Sequence, residues 1–146
     1  MAKNEDDYIA RASVKVDAPV GTVWKALVEP ETIKKYMMGA NVVTDWKEGS
    51  GIAWEGEWEG KPYKDKGTIL KNDPERLLQY SHFSPLTGVP DVPESYHTVT
   101  IELSDEGSET TVTLTQDNNE TDEARAHSEE NWKGMLKGLK EVVETS

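Results

Sequence analysis

The stretch EENWKGMLKGLKEVVE, residues 129–144, has the apolar spacing of a long amphipathic helix. Its large apolar side chains recur every three or four residues, at Trp132, Met135, Leu136, Leu139, Val142 and Val143. On a helix these side chains form one continuous stripe, and the lysines between them point elsewhere. Continued back to residue 121, the same stripe meets only small or polar side chains. We therefore expect the second half of the helix to cover an apolar core and the first half to face a hollow or wet space.

The composition limits the classes of function open to the chain. Its 146 residues fit one domain, which we place at residues 1–146. The 28 Asp and Glu against 16 Lys and Arg give a formal net charge of −12, which repels nucleic acid and anionic membrane surfaces. The absence of cysteine excludes disulfides and thiolate metal ligands. The amino-terminal residues contain no uncharged run as long as a signal peptide or a membrane span, so we predict a cytoplasmic protein with no membrane insertion. From the negative charge we predict no nucleic-acid partner.

The first quarter of the chain predicts a strand followed by two short helices. Residues 8–16 alternate between the two faces of a half-buried strand. In the next stretch, Pro19 begins a helix and Pro30 ends it and opens a second one. The first of these helices has an apolar face made of Val20, Val23, Trp24 and Leu27.

Six further strands are predicted after Gly39, because turn residues then recur about every eight to twelve positions. The candidate strands are ANVVTDW (40–46), GIAWEGEW (51–58), KDKGTILKN (64–72), RLLQYSHF (76–83), YHTVTIELS (96–104) and ETTVTLTQD (109–117). We place one loop at EGKPY, residues 59–63, and a longer one at residues 84–95, which is either a flap over a binding site or a static surface loop. The final helix begins near residues 118–121, where Asn, Thr and Asp can cap it.

The order of these elements and two sequence patterns resemble a known family. The run VDAPVGTVWKALVEPETIKKYM (16–37) resembles the amino-terminal signature of the SRPBCC (START-like) superfamily. The pair NDPERLLQYS (72–81) and NWKGMLKGLKEVVE (131–144) is similar to patterns of the branch named after the activator of heat-shock protein 90 ATPase. The resemblance covers about residues 12–144, with one departure: Asn131 stands where the family usually has Gly before the Trp.

The resemblance implies an α+β helix-grip fold, in which a curved antiparallel sheet of six or seven strands wraps around the long carboxy-terminal helix. Two short helices follow the first strand. The fold implies a cavity between the concave sheet and the helix, with residues 124–131 over its open end and residues 132–143 over its closed end. A cavity of this kind would hold a small apolar or amphipathic molecule, and we expect no cofactor.

Two strand faces supply aromatic and polar candidates for contact with a ligand. Trp54 and Trp58 share a face with Ile52 and Gly56, so the two indoles either line a pocket or fill an ordinary core. Tyr80 and His82 share a face of strand 76–83. The register of that strand is open by one residue, and a slip would turn both side chains outward.

The remaining candidates lie on the last two strands and on the final helix. His97 and Gln116 fall on inward faces, and His127 and Asn131 lie beside the apolar stripe of the helix. Gln116 either hydrogen-bonds a ligand or ties down the start of the helix. The histidines match no metal-binding spacing, so we predict polar ligand-binding groups and no catalytic or metal-ligating residue.

Three classes of function fit these observations, and we favour a protein that binds a ligand without turning it over. The chain contains no serine-nucleophile elbow and no phosphate-binding loop. One alternative is an enzyme of the cyclase or hydratase kind, with His82 or His97 acting beside a tyrosine. Another is a chaperone-associated protein of the stress response, as the name of the branch suggests. We expect a monomer or a weak homodimer.

Overall fold

Ten helices and strands make up the described part of the protein. The computed structural model describes residues 8–37, 39–85, 88 and 90–145. The elements in chain order are β1 Ala10–Val16, α1 Val20–Val28, α2 Pro30–Tyr36, β2 Asn41–Val43, β3 Gly51–Trp58, β4 Lys61–Asp73, β5 Leu77–His82, β6 His97–Asp105, β7 Thr110–Gln116 and α3 Asp122–Glu144. A short 3-10 turn, Pro93–Ser95, precedes β6.

The strands of this described region form one seven-stranded antiparallel sheet in the order β1-β7-β6-β5-β4-β3-β2. The long helix α3 packs against β1, β7 and α2, and α2 also contacts β2. The sheet therefore grips α3 from one side while the two short helices close one end. The predicted α+β helix-grip fold is confirmed.

Local sequence explains where the helices begin and end. Glu29, between α1 and α2, has an extended backbone with φ −102° and ψ 112°, because the residue before a proline avoids the helical region. The side chain of Thr121 accepts a hydrogen bond from the backbone N–H of Ala124 and caps α3. The negative charges of Asp122 and Glu123 in the first turn stabilise the same end of α3, because they interact favourably with the positive end of the helix dipole.

The turn between β3 and β4 is shorter than predicted. Glu59 and Gly60, with φ of 52° and 82°, form a two-residue hairpin turn, so the expected loop at residues 59–63 is wrong for its last three positions. Pro62 is tolerated in β4 because it pairs with Glu57 at a point that β5, on the other side, does not reach. The shorter turn brings Tyr63 onto the inner face of the sheet, opposite Gly56.

The core confirms the inward faces predicted for the strands and for the second half of α3. Leu136 and Leu139 are almost fully buried and belong to the same core as Val16 of β1 and Leu114 of β7. On β5, Leu78 and Tyr80 are buried, which fixes the register of that strand as the one that points them inward. The apolar stripe of α3 therefore covers a filled core along its carboxy-terminal half.

Two carboxylates of α3 hold β1 from outside the core. Glu129 accepts a hydrogen bond from the backbone N–H of Arg11 at 3.2 Å, and Glu144 accepts one from Asp17 at 2.7 Å. Arg125 lowers the pKa of Glu129, with help from the Arg11 backbone. Lys140 and the Asp17 backbone lower the pKa of Glu144 in the same way.

We expect these two carboxylates to make the protein sensitive to acid. A glutamate whose pKa is lowered by folding contributes its stability above the pKa of the unfolded chain and loses it as the pH falls through the folded-state pKa. Urea unfolding between pH 7 and pH 3 should therefore show less loss of stability in the double variant Glu129→Gln/Glu144→Gln than in the wild type. Glu141→Gln, on the exposed face of α3, is the matched control. An equally steep loss in the double variant would contradict this assignment.

Candidate functional site

A cavity of about 840 Å³ lies between the concave face of the sheet and α3. Its walls come from the turn after α2, from the inner faces of β3 to β7, and from residues 128–135 of α3. The helix segment at the cavity thus lies about one turn further along than the predicted roof at residues 124–131. Trp132 belongs to the lining as well as to the core boundary.

The floor of the cavity is aromatic. Trp54 and Tyr80 are each only 6% exposed, and their ring centroids lie 5.1 Å apart. Tyr36 completes the floor and donates its hydroxyl to the carbonyl oxygen of Ala26 at 2.8 Å. Burial raises the pKa of both tyrosines, so their hydroxyls stay neutral. The floor therefore offers apolar area with few charges.

The space at Gly56 is occupied by an aromatic ring from the neighbouring strand. A Cβ atom at Gly56 would lie 2.9 Å from the hydroxyl oxygen of Tyr63. Gly56 therefore makes room for the ring of Tyr63. Burial, followed by the nearby charge of Asp65, raises the pKa of Tyr63. Sequence reasoning missed Tyr63 because it placed this residue in a loop.

One end of the cavity carries a hydrogen-bonded aspartate–histidine pair. The Nε2 atom of His82 lies 2.9 Å from Oδ2 of Asp65, and the two side chains are 30% and 16% exposed. The other oxygen of Asp65, Oδ1, is buried and has no hydrogen-bond partner among the described residues. The ring of Trp54 meets the His82 ring edge-on at 5.1 Å. Asp65 was not predicted, although its position opposite Trp54 follows from the register of β3 and β4.

His97 lies beside this pair, with ring centroids 6.5 Å apart between His82 and His97. Its Nδ1 atom is 2.9 Å from the carbonyl oxygen of Asp117. Because a carbonyl oxygen can only accept, Nδ1 carries the proton of the neutral ring and Nε2 keeps its lone pair. His97 is thus an acceptor whose orientation is set by the backbone.

Gln116 connects the last strand to the long helix. Its side-chain oxygen accepts a hydrogen bond from the indole N–H of Trp132, and its backbone carbonyl accepts one from the side chain of Asn119. The Gln116 side chain is therefore tied to the middle of α3, whereas one of the two roles considered for it was a tie to the start of the helix. The side chain also lines the cavity.

Of the three remaining predicted residues, one lines the cavity, one lies outside it, and the side chain of the third is not described. Asn131 lines the cavity at its rim and is exposed. His127 is exposed and lies outside the lining, because the cavity meets α3 only from residue 128 onward. The side chain of Trp58 lies outside the described part of the structure.

The described residues of the loop after β5 make their contacts outside the cavity lining. Lys66 forms an ion pair with Asp91, and the Tyr96 hydroxyl donates to the same carboxylate at 2.7 Å. The rings of Phe83 and Tyr96 stack with centroids 5.1 Å apart. None of the described residues between 84 and 95 lines the cavity, so the described part of this loop is a clamped surface segment.

The charges at the cavity are of one sign. Glu57, Asp65 and Glu130 line it, whereas no described Lys or Arg does. Within the described residues no group of three or more His, Cys, Asp or Glu side chains is placed to hold a metal ion. No helix in the described residues is both long enough and apolar enough to span a membrane. The site therefore combines an aromatic floor with hydrogen-bond acceptors and carboxylates.

Comparison with known proteins places this architecture among solved relatives. The solution structure of a protein from Cytophaga hutchinsonii is 58% identical, covers 94% of each chain and superposes with a TM-score of 0.83. The Aha1 dimer from Colwellia psychrerythraea is 20% identical in sequence. The match covers 93% of this chain and 96% of the Colwellia chain, with a TM-score of 0.72. CalU16 from Micromonospora echinospora, at 23% identity, covers 92% and 83% with a TM-score of 0.71.

The two distant structures share the fold alone, whereas a sequence profile identifies the family. No match was found among curated proteins. The profile described as "Activator of Hsp90 ATPase homolog 1-like protein" matches residues 17–144, which is most of the chain. The chain therefore belongs to the family of Activator of Hsp90 ATPase homolog 1-like proteins.

Proposed function

We propose that this protein binds one small apolar or amphipathic molecule in the cavity between the sheet and α3. The observation that carries the proposal is the cavity of about 840 Å³ above the floor of Trp54, Tyr80 and Tyr36. Ligand sites typically enclose about 300–1,000 Å³ and are lined mainly by apolar and aromatic groups. The family and its helix-grip fold fit a small ligand-binding domain.

The polar groups support an oriented ligand. His82, His97 and Gln116 come from three adjacent strands and gather at one end of the cavity, whereas the aromatic rings form its floor. A few convergent polar groups in an apolar pocket fix the orientation of a bound molecule. We propose that the chain, residues 1–146, acts as one binding domain and that these side chains, with Trp54, Tyr80 and Asn131, contact the ligand.

A partner protein is the second candidate. It draws on the names of the family and of one solved relative, which refer to an ATPase activator and to a dimer. A role beside a chaperone, or a homodimer, would use the outer surface of the protein and leave the cavity free. An enzymatic role would require turnover of the bound molecule, and nothing in the arrangement of the two histidines demands it.

An NMR titration tests the proposal directly. We expect the neutral fluorescent compound N-phenyl-1-naphthylamine to cause saturable shifts at the indole N–H of Trp132 and at the amides of Trp54 and His82. Thr100 and Thr113 alternate with inward residues on β6 and β7 and serve as internal controls on the outer face. The absence of saturable shifts, or shifts confined to the outer face, would contradict a cavity site and direct the search to protein partners.

A further inference from the structure

We infer that the cavity selects neutral aromatic molecules that carry a hydroxyl group, and that it rejects carboxylates, through Asp65, His82 and His97. This inference rests on the proposed function and adds the chemistry of the ligand to it. The polar end of the cavity contains the side-chain NH2 of Gln116 as a donor, but the acceptor atoms of Asp65, His82 and His97 described next have no donor among the described residues. A ligand that brings a donor would complete this arrangement.

The unmatched acceptors can be identified atom by atom. Oδ1 of Asp65 is buried and has no hydrogen-bond partner in the described structure, although its neighbour Oδ2 contacts His82. If Nε2 of His82 donates to that carboxylate, Nδ1 is the acceptor of the neutral ring. The contact of His97 with the Asp117 carbonyl likewise leaves Nε2 as an acceptor. A buried acceptor without a donor costs free energy. A ligand hydroxyl that donates to it removes this cost, so the hydrogen bond contributes more to binding than one to a solvated acceptor would.

The charge distribution excludes the opposite kind of ligand. Asp65 lines the partly buried end of the cavity, and the exposed Glu57 and Glu130 line its rim. Lys133 pairs with Glu130 at 3.9 Å from outside the lining, but the described lining itself contains no lysine or arginine to compensate a second negative charge beside Asp65. A carboxylate that enters a partly buried site without a cation loses its hydration and is repelled by the carboxylates already there. Fatty acids and other anionic amphipaths are therefore poor ligands on electrostatic grounds.

The floor determines the apolar part of the ligand. The Trp54 ring lies 5.1 Å from the Tyr80 ring and 5.1 Å from the His82 ring, so the aromatic floor continues directly into the polar end. A flat ring that lies on this floor can direct its hydroxyl at the Asp65–His82 pair. A hydroxylated aromatic molecule satisfies both parts of the site at once.

Three compounds built on one ring system test the inference: 2-naphthol, 2-methoxynaphthalene and 2-naphthoate. By isothermal calorimetry at neutral pH we expect 2-naphthol to bind about tenfold more tightly than 2-methoxynaphthalene, which lacks the donor. We expect 2-naphthoate to bind at least about a hundredfold more weakly than 2-naphthol. Equal affinity for 2-naphthol and either of the other two compounds would overturn the inference.

A charge-removing variant makes the test specific to Asp65. Asp65→Asn keeps the shape of the side chain, so the preference for 2-naphthol over 2-naphthoate should fall by about tenfold while binding of 2-methoxynaphthalene stays the same. Asp73→Asn, on the exposed end of the same strand, should change nothing. An unchanged preference in Asp65→Asn overturns the inference and leaves cavity binding intact, whereas failure of every compound to bind overturns the proposed function as well.

Discussion

Replacing Gly67 by alanine is expected to lower the free energy of unfolding by about 3 kcal/mol or more. A Cβ atom built on Gly67 would overlap the backbone carbonyl of Ser81 on the neighbouring strand. The two strands cannot separate easily at this point, because the N–H of Thr68 donates to the Ser81 hydroxyl at 2.9 Å and Lys66 and Phe83 exchange backbone hydrogen bonds. The sheet must therefore distort to admit a single methyl group.

A second glycine provides the control for this prediction. Apart from neighbouring residues and the backbone of α3 itself, no described atom lies within 4 Å of a Cβ built on Gly134, which is in the interior of α3. Gly134→Ala should raise the free energy of unfolding by about 0.5–1 kcal/mol, because alanine is the better helix former. Urea denaturation of both variants measures whether the free energy of unfolding falls in Gly67→Ala and rises in Gly134→Ala. A Gly67→Ala protein as stable as the wild type would show that β4 and β5 do not approach each other closely at Gly67 and Ser81.

Replacing Gly134 by phenylalanine is expected to weaken the binding of N-phenyl-1-naphthylamine by at least about a hundredfold, because the clash with an occupant of the same space is worth several kcal/mol. Gly134 lines the cavity, and the space around it is open. Because nothing in its surroundings lies close to a Cβ atom on residue 134, we expect a benzyl group there to leave the core undisturbed. It would occupy part of the volume that we assign to the ligand.

The fluorescence of N-phenyl-1-naphthylamine measures this loss, and urea denaturation shows whether the variant remains folded. Gly134→Ala is the matched control and should bind as the wild type does, since a methyl group fills little of the cavity. Wild-type affinity in Gly134→Phe, with saturable binding elsewhere on the protein, would place the ligand outside this part of the cavity.

Most of the fold could be predicted from the sequence because its signals are local and repeated. The stripe from Trp132 to Val143 predicted which half of α3 is buried, and alternation along β5 predicted that Leu78 and Tyr80 point inward. Pro30 marked the break between the two short helices. Each of these features depends on spacing within one element, and apolar burial enforces that spacing over several residues.

The site was harder to predict because it depends on pairing between elements. Asp65 and Tyr63 reach the cavity only because the turn at Glu59–Gly60 has two residues, and a five-residue loop would have removed Tyr63 from the strand. The place where α3 crosses the sheet decided against His127, because the cavity meets α3 only from residue 128 onward. Neither the length of this turn nor the position at which α3 crosses the sheet can be predicted from the periodicity of a single segment.

The hydrogen bonds that join α3 to β1 also protect the protein from uncontrolled assembly. β1 is an outer strand of the sheet, and the outward N–H of Arg11 is taken by Glu129, while Lys140 occupies the carbonyl of Lys15. A foreign strand that adds to an exposed sheet edge needs these backbone groups unpaired. The opposite edge, β2, has only three residues. Growth by strand addition is thus hindered at one edge by side chains and at the other by the short length of the strand.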